Sequence, residues 1–309
     1  MASSPSNDAH CPAAMTEPSP SKTGSWRGIR VIAIVVAALV ACLVPVSLKV
    51  AASQQVEEHP ADGPLLALDG YKLTFDEHFG QLDISDRPGT GAAWYSHTPW
   101  AGDFGDARFV GPGPGGPFAA GNEGLDIIAH KGPDGAWTSG LISSRDRDGP
   151  LGRGFAQAYG YFEMKAKLPG GGGLWPAFWL IGVDKTTSSS EIDVMEDYGG
   201  FPEYYHCVAH IWRKSGQNWS KDFLIHVPRD ILSKQYNLFG VLIGSQTTRF
   251  TFNRRIVAEM PTPPEYRQPF YALADLALGG GWSTASLSSP QTMKIASISA
   301  YAPPAGAQP

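Results

Sequence analysis

Beyond residue 60 no stretch of the chain keeps a helical period of apolar residues long enough to build a main helix. The apolar runs there are short, several alternate with period two, and clusters of glycine and proline separate them. In YGYFEMKAKL (159–168), Tyr159, Tyr161, Glu163, Lys165 and Lys167 oppose Gly160, Phe162, Met164, Ala166 and Leu168. Such alternation sends the two sets to opposite faces of a strand. Further strand-like stretches are YKLTFDEHF (71–79), GLDIIAH (124–130), WTSGLISS (137–144), LWPAFWLIG (174–182), EIDVME (191–196) and YHCVAHIW (205–212). YNLFGVLIG (236–244), RFTFNRRIVAEM (249–260), PFYALADLAL (269–278) and MKIASISAY (293–301) complete the series. With 36 glycines and 26 prolines as punctuation, this pattern predicts an all-β sandwich or barrel. The glycine runs at 111–116 and 169–173 lack the G-x-x-x-x-G-K-[ST] pattern of a phosphate loop and open no helix, so they are read as turns.

One of these strands carries residues that a strand normally rejects. In SSSEIDVMEDYGG (188–200), Ile192, Val194 and Met195 suit a buried strand, whereas Glu191, Asp193 and Glu196 are like charges that repel on a shared face. Glu191 and Asp193 project to one face by alternation, but strict alternation would put Met195 beside them rather than Glu196. A β-bulge of one extra residue restores Glu196 to the acidic face. The two glutamates then flank Asp193 at about four strand steps, ~13 Å between Cα atoms. Inclined side chains close that to the carboxyl separation of about 5–5.5 Å used by retaining glycosidases. On its own, E-x-D-x-x-E also suits a solvated edge strand or part of a cation site.

The front of the chain has a different character. Residues 1–26, rich in Ser, Pro, Asn and Thr, predict a disordered leader. Arg27 and Arg30 precede an apolar run that starts at Val31 and meets no charge until Lys49, close to the length a bilayer span needs. Basic residues on its leading side predict a cytoplasmic N-terminus and everything after the run outside. Residues 27–50 are therefore expected to act as a signal anchor in the membrane, or as a signal peptide cut near Val50-Ala51-Ala52. A third possibility is the lipobox-like LVAC ending at Cys42. A linker over 51–65, a folded domain over 66–303 and a tail over 304–309 would follow, the domain lying outside the cytoplasm.

Charge and cysteines narrow the function classes. A net charge of −5 with a pI near 5.9 leaves no electrostatic footprint for nucleic acid. Cys11, Cys42 and Cys207 cannot make a disulfide framework, and only Cys207 falls in the predicted domain. His206 and His210 would share a strand face, but no Cys/His spacing matches a zinc site, and no metal is expected.

YGYFEMKAKLP (159–169), GLWPAFWLIG (173–182) and EIDVME, in that order, closely resemble glycoside hydrolase family 16. LTFDEHF (73–79), LADLALGGGW (273–282) and MKIASISAY extend the resemblance more loosely, from about Leu66 to Tyr301. It implies a two-sheet β-jelly-roll sandwich of concanavalin-like form with an open cleft, and an endo-acting enzyme on a β-linked polysaccharide. Position by position it implies Glu191 as nucleophile, Asp193 as the assisting acid and Glu196 as acid/base. Trp175 and Trp179 match two family tryptophans and are candidate stacking platforms for sugar rings, with core packing as the other reading. Trp282, Trp100 and His210 are placed near the substrate by rough position only. The chain departs from the family at DKTTSSS (184–190), where W-P-x-x-G is common, and at FTFNRR (250–255), which puts Asn253 and Arg254 at an Asp-Gly turn. It also has Ala296 where an Asp often helps bind structural calcium, which argues against calcium there; no other cofactor is implied. A carbohydrate-binding module on the same fold and a transglycosylase remain as alternatives. The crowded carboxylate trio disfavours the first, and the second shares its first step with hydrolysis.

Overall fold

The computed structural model describes residues 56–147, 149 and 154–305. Two sheets of ten strands each stack around one core. From one edge, the first runs Glu57–Pro60, Trp219–His226, Tyr204–Arg213, Ser188–Glu196, Leu174–Gly182, Pro269–Leu278, Leu141–Ser143, Trp94–Tyr95 and Ile84–Ser85. Gln157–Ala158 pairs beside Pro269–Leu278. We call this the acidic sheet. The second, or backing, sheet runs Arg255–Pro261, Thr247–Phe252, Asn237–Ile243, Gly160–Lys167, Gln291–Ala302, Gly124–Lys131, Trp137–Ser139 and Ala107–Phe109. Lys72–Glu77 and Phe118–Gly121 pair with Gln291–Ala302 and Gly124–Lys131 respectively. Helical structure among the described residues is confined to Ile231–Lys234 and a 3₁₀ turn at Pro264–Tyr266.

Alternation decides which side chains meet in the core. Ile192 and Val194 of the acidic strand, Cys207, Ala209 and Ile211 of the next and Phe223 and Ile225 beyond point inward. They meet Phe162, Met164 and Ala166 and, further along the backing sheet, Phe239, Val241, Phe250 and Phe252. Each large apolar side chain so buried contributes about 1.5–3 kcal/mol. Cys207 is buried in this layer as a free thiol.

LWPAFWLIG and PFYALADLAL read as nearly continuous apolar runs because both of their faces are covered. On the outer face of the acidic sheet, Ala177, Trp179, Ile181, Tyr271, Leu273 and Ala277 form a second cluster with Phe109 and Leu141, capped by Phe104. The central strands are therefore covered on both faces, and the polar group they turn outward, Asp275, is itself buried under that cluster.

Several sequence expectations change. The expected linker 51–65 contains an edge strand, Glu57–Pro60, parallel to Trp219–His226. It has no apolar signal and is held by backbone pairing and by charges such as Lys221 Nζ to Glu57 Oε1 at 3.1 Å. Trp219–His226 itself was not expected, since Ser220 and Asp222 on its outer face dilute the apolar pattern. WTSGLISS divides at Gly140, Trp137–Ser139 joining the backing sheet and Leu141–Ser143 the acidic one. RFTFNRRIVAEM is a hairpin whose two turn residues, Asn253 and Arg254, take left-handed φ values of 49° and 60°. That conformation costs an arginine about 1 kcal/mol. It is offset by a forked hydrogen bond from Arg254 to buried Glu163, at 2.6 and 2.9 Å. The predicted leader and membrane segment, 1–50, lie outside the described residues; among those described, no helix is long and apolar enough to cross a membrane.

Candidate active site

The acidic strand Ser188–Glu196 contains an extra residue. Against Leu174–Gly182, Trp179 faces Asp193 while Phe178 faces Met195. Against Tyr204–Arg213, Val208 faces Asp193 and His206 faces Glu196. On both sides the three steps from Asp193 to Glu196 span two of the partner's pairings or fewer, so the bulge lies at Val194–Met195. Val194 and Met195 are both fully buried in the core, which leaves Glu191, Asp193 and Glu196 on the outer face together. Hydrophobic anchoring of two consecutive residues thus keeps three repelling carboxyls in register.

A different nitrogen group attends each acid. Trp212 Nε1 donates to Glu191 Oε2 at 2.9 Å, and Trp175 Nε1 donates to Glu196 Oε1 at 2.7 Å. His210 Nε2 lies 3.2 Å from Asp193 Oδ2. The His210 and Trp212 rings stack at 4.6 Å, two residues apart on one strand face. The Tyr266 hydroxyl donates to the Glu191 carbonyl at 2.7 Å, pinning the strand from outside the sheet. On the Glu196 side Tyr198 stacks on Trp175 at 5.8 Å and hydrogen-bonds Glu196. Gly280 backs this pair: it has φ 59°, and a Cβ there would stand 3.0 Å from both the Trp175 ring and Tyr198.

Burial raises every carboxyl of the group. Glu191 is pushed up to about 8 by burial and then by the charge of Asp193, against His210 and the Trp212 N–H. Asp193 stands well above the usual carboxylate range, through burial and then the charges of Glu196, Asp275 and Asp222. Glu196 is raised by burial, with the Trp175 hydrogen bond first among the effects pulling it back, followed by His206 and His210. Asp275, fully buried behind them, is pushed up to about 8 by burial although Trp179 Nε1 donates to it at 2.8 Å. So many acids at one place cannot all ionise. Asp193, with acids on either side and Asp275 behind it, is the member that keeps a proton longest.

His206 Nδ1 lies 2.9 Å from Asp222 Oδ1. Burial alone would lower its pKa, but the hydrogen bond and charge of Asp222, with Glu196 and Asp197, raise it overall. A cation is thereby stabilised beside Glu196. Among the described residues, the ligand-type atoms of Glu191, Asp193 and His210 all lie within 4.8 Å of one another. They are the donor set a cation would use, and they are the same groups that hold the site's protons.

The other expected residues separate. Trp175 enters the site through Glu196. Trp179 does not offer a platform: it is 3% exposed, with Phe104 and Trp100 rings 6.1 and 5.9 Å away, and its N–H is spent on Asp275. A ring so covered has no face left for a sugar. Trp100 and Trp282 are 42% and 46% exposed and do not touch the acids; Trp282 packs edge-on to Phe201 at 4.8 Å. His210 stands at the centre. Trp212, Tyr198, Asp275 and the His206–Asp222 pair were not foreseen. Trp212 was legible, because it continues the alternation His206, Val208, His210 by one more step.

Residues 128–297, more than half of the chain, match the sequence profile of Glycosyl hydrolases family 16. The chain is 30% identical over 261 residues to the endo-1,3-1,4-beta-glycanase EglC of Rhizobium meliloti (strain 1021), an alignment covering 76% of this chain and 53% of that protein. It is 28% identical over 251 residues to the endo-1,3-1,4-beta-glycanase ExsH of the same organism, covering 74% and 51%. The chain thus spans about half the length of these curated relatives. Among solved structures, the laminarinase catalytic domain from Thermotoga maritima MSB8 superposes with a TM-score of 0.61 at 20% identity, covering 76% of this chain and 99% of that one. This likeness establishes the fold as an all-β, jelly-roll-like sandwich of two sheets.

Proposed function

The chain belongs to glycosyl hydrolases family 16, and from that premise we propose that it is a retaining, endo-acting glycoside hydrolase. Its substrate is a β-linked polysaccharide, a β-1,3- or mixed β-1,3-1,4-glucan or a bacterial exopolysaccharide of that linkage type. The observation that carries this proposal is the bulge, which sets Glu191 and Glu196 on one face with Asp193 between them. Recognition alone has no use for three acids crowded on one strand face; double displacement uses each.

In the first step the Glu191 carboxylate attacks the anomeric carbon, forming a glycosyl-enzyme ester with inversion, while Glu196 gives its proton to the departing oxygen. In the second, Glu196 takes a proton from water, whose oxygen attacks the same carbon, displaces Glu191 and restores the configuration. Protonated Asp193 removes the like charge that most strongly opposes ionisation of Glu191 after burial itself. The Trp212 N–H then favours the carboxylate form of the nucleophile. Glu196, raised by burial, keeps its proton until it is needed.

The proposal extends to location. Residues 27–50, with their flanking arginines, would hold the enzyme at a membrane with the sandwich on the extracytoplasmic side, or release it after cleavage. Reducing-end release from a panel of β-glucans and bacterial exopolysaccharides tests the activity. Cleavage by the parent and none by Glu191→Ala is expected; binding without cleavage, unaffected by Glu191→Ala, would overturn the proposal in favour of a carbohydrate-binding module.

A further inference from the structure

The segment DKTTSSS, where this chain departs from the family pattern, supplies a lysine to the outer face of the acidic sheet on the Glu191 side. Lys185 Nζ donates to the Pro99 carbonyl at 3.0 Å and to the Tyr271 hydroxyl at 3.2 Å. The Arg145 guanidinium stands 5.8 Å from the centre of the same tyrosine ring. Arg147 Nη1 donates to the Thr98 carbonyl at 3.2 Å and to the Trp100 carbonyl, so it anchors the segment beneath Lys185. Tyr271 pairs in register with Ile181, and Ile181 with Glu191. The corner therefore lies two strands from Glu191, ~10 Å across the sheet.

Lys185 and Arg145 stand over the same tyrosine at half-buried positions, which is costly unless something compensates. Among the described residues no carboxylate stands within ion-pair distance of Lys185 or Arg145. Asp146, the acid nearest in sequence, is occupied by His97 at 3.3 Å and by the Gly89 N–H at 2.6 Å. Burial and then the charge of Arg145 bring the Lys185 amine down to about 8, with Glu191 the acid that acts against them. Lys185 uses backbone and hydroxyl acceptors.

We infer that Lys185 and Arg145 form a subsite for an oxyanion carried by the polysaccharide, a carboxylate or a sulfate ester, on the Glu191 side of the bond cleaved, with buried Tyr271 holding the lysine in place. The inference rests on the glycanase proposal and narrows it to anionic polymers. A guanidinium fork and an ammonium are the donors such a group requires.

The test uses the full chain with a soluble β-1,3-glucan, its carboxymethyl derivative and its sulfate ester. For the parent, kcat/KM for one of the anionic polymers should exceed that for the neutral one by about tenfold or more, as one charge-assisted hydrogen bond would give. Which derivative is preferred separates carboxylate from sulfate. Lys185→Gln and Arg145→Gln should bring that ratio towards one, and Lys185→Arg should keep it. Using a ratio within each variant cancels any general loss of folded enzyme. A parent ratio near one overturns the inference, and so does a ratio that survives both Gln variants. If Lys185 serves only Glu191 or the Pro99 segment, all polymers slow together and the ratio stays put, which also overturns it. Should no polymer be cleaved, the activity proposal fails, and binding to the Glu191→Gln chain decides separately. Anion-selective retention lost on adding Lys185→Gln upholds the subsite; absence of selective retention overturns it.

Discussion

The two ends of the acidic strand are furnished differently. Around Glu196 the surroundings are aromatic: Trp175 donates to the carboxyl, Tyr198 stacks on Trp175, and Phe201, Tyr204 and Trp282 continue the surface. Around Glu191 stand the His210–Trp212 stack and, two strands away, Lys185 and Arg145 over Tyr271. Burial raises both glutamates, and at each end N–H donors and imidazoles act against it: Trp175, His206 and His210 at Glu196, His210 and Trp212 at Glu191. One strand thus carries two glutamates five residues apart, each held by an indole N–H, with Asp193 holding a proton between them.

The largest expected effect follows from removing either glutamate. Glu191→Ala should abolish cleavage of every substrate. Glu196→Gln should lower kcat on polysaccharide by about 10²–10⁴-fold, the usual contribution of a general acid, while sparing glycosides with aryl leaving groups that need no protonation. If aryl glycosides suffer equally, the assignment of Glu196 as the acid is broken.

Next in size is Trp175→Phe, which deletes the N–H that stabilises ionised Glu196. Because that hydrogen bond lowers the Glu196 pKa, its loss raises it. The alkaline limb of the kcat/KM profile, where Glu196 loses its proton, should therefore move to higher pH. His206→Gln removes a cation acting in the same direction from further away, so its shift should have the same sign and be smaller. On the opposite side, Trp212→Phe should raise the Glu191 pKa and move the acidic limb up instead. Full pH–rate profiles of the three variants sharpen the contrast between the strand ends, and a common shift of one limb in all of them would erase it.

A further effect is on stability. Glu191 and Asp275 have folded-state pKa values raised to about 8 from ordinary carboxylate values. Between about 4 and 8 the folded state then binds more protons than the unfolded one, so these groups make stability fall as pH rises through that window. Glu191→Gln, which cannot ionise, should raise Tm by about 2–4 °C at pH 8 and by less at pH 5, in thermal melts. The smallest effect is expected from chelation: activity should survive EDTA unchanged, because each acid already has a nitrogen partner.

Much of this was legible in the sequence where a local rule was visibly broken. The odd spacing of EIDVME required a bulge, and alternation separated the two faces of YGYFEMKAKL, of which Phe162, Met164, Ala166 and Leu168 are in the core. Where an environment comes from chain segments distant in sequence, the residues gave no sign. Trp179 looked like a platform because its covering ring, Phe104, arrives from a separate loop. The cationic corner needs Pro99, Arg145, Lys185 and Tyr271 at once, and each alone reads as an ordinary residue. Glu57–Pro60 was missed because an edge strand held by backbone pairing needs no apolar pattern.

The measurement that bears most directly on the central claim is proton NMR of the first product released from a β-glucan, before mutarotation. Double displacement through Glu191 predicts the β-anomer first. The α-anomer first would mean single displacement by water, and the bulged strand would not be the covalent device described above.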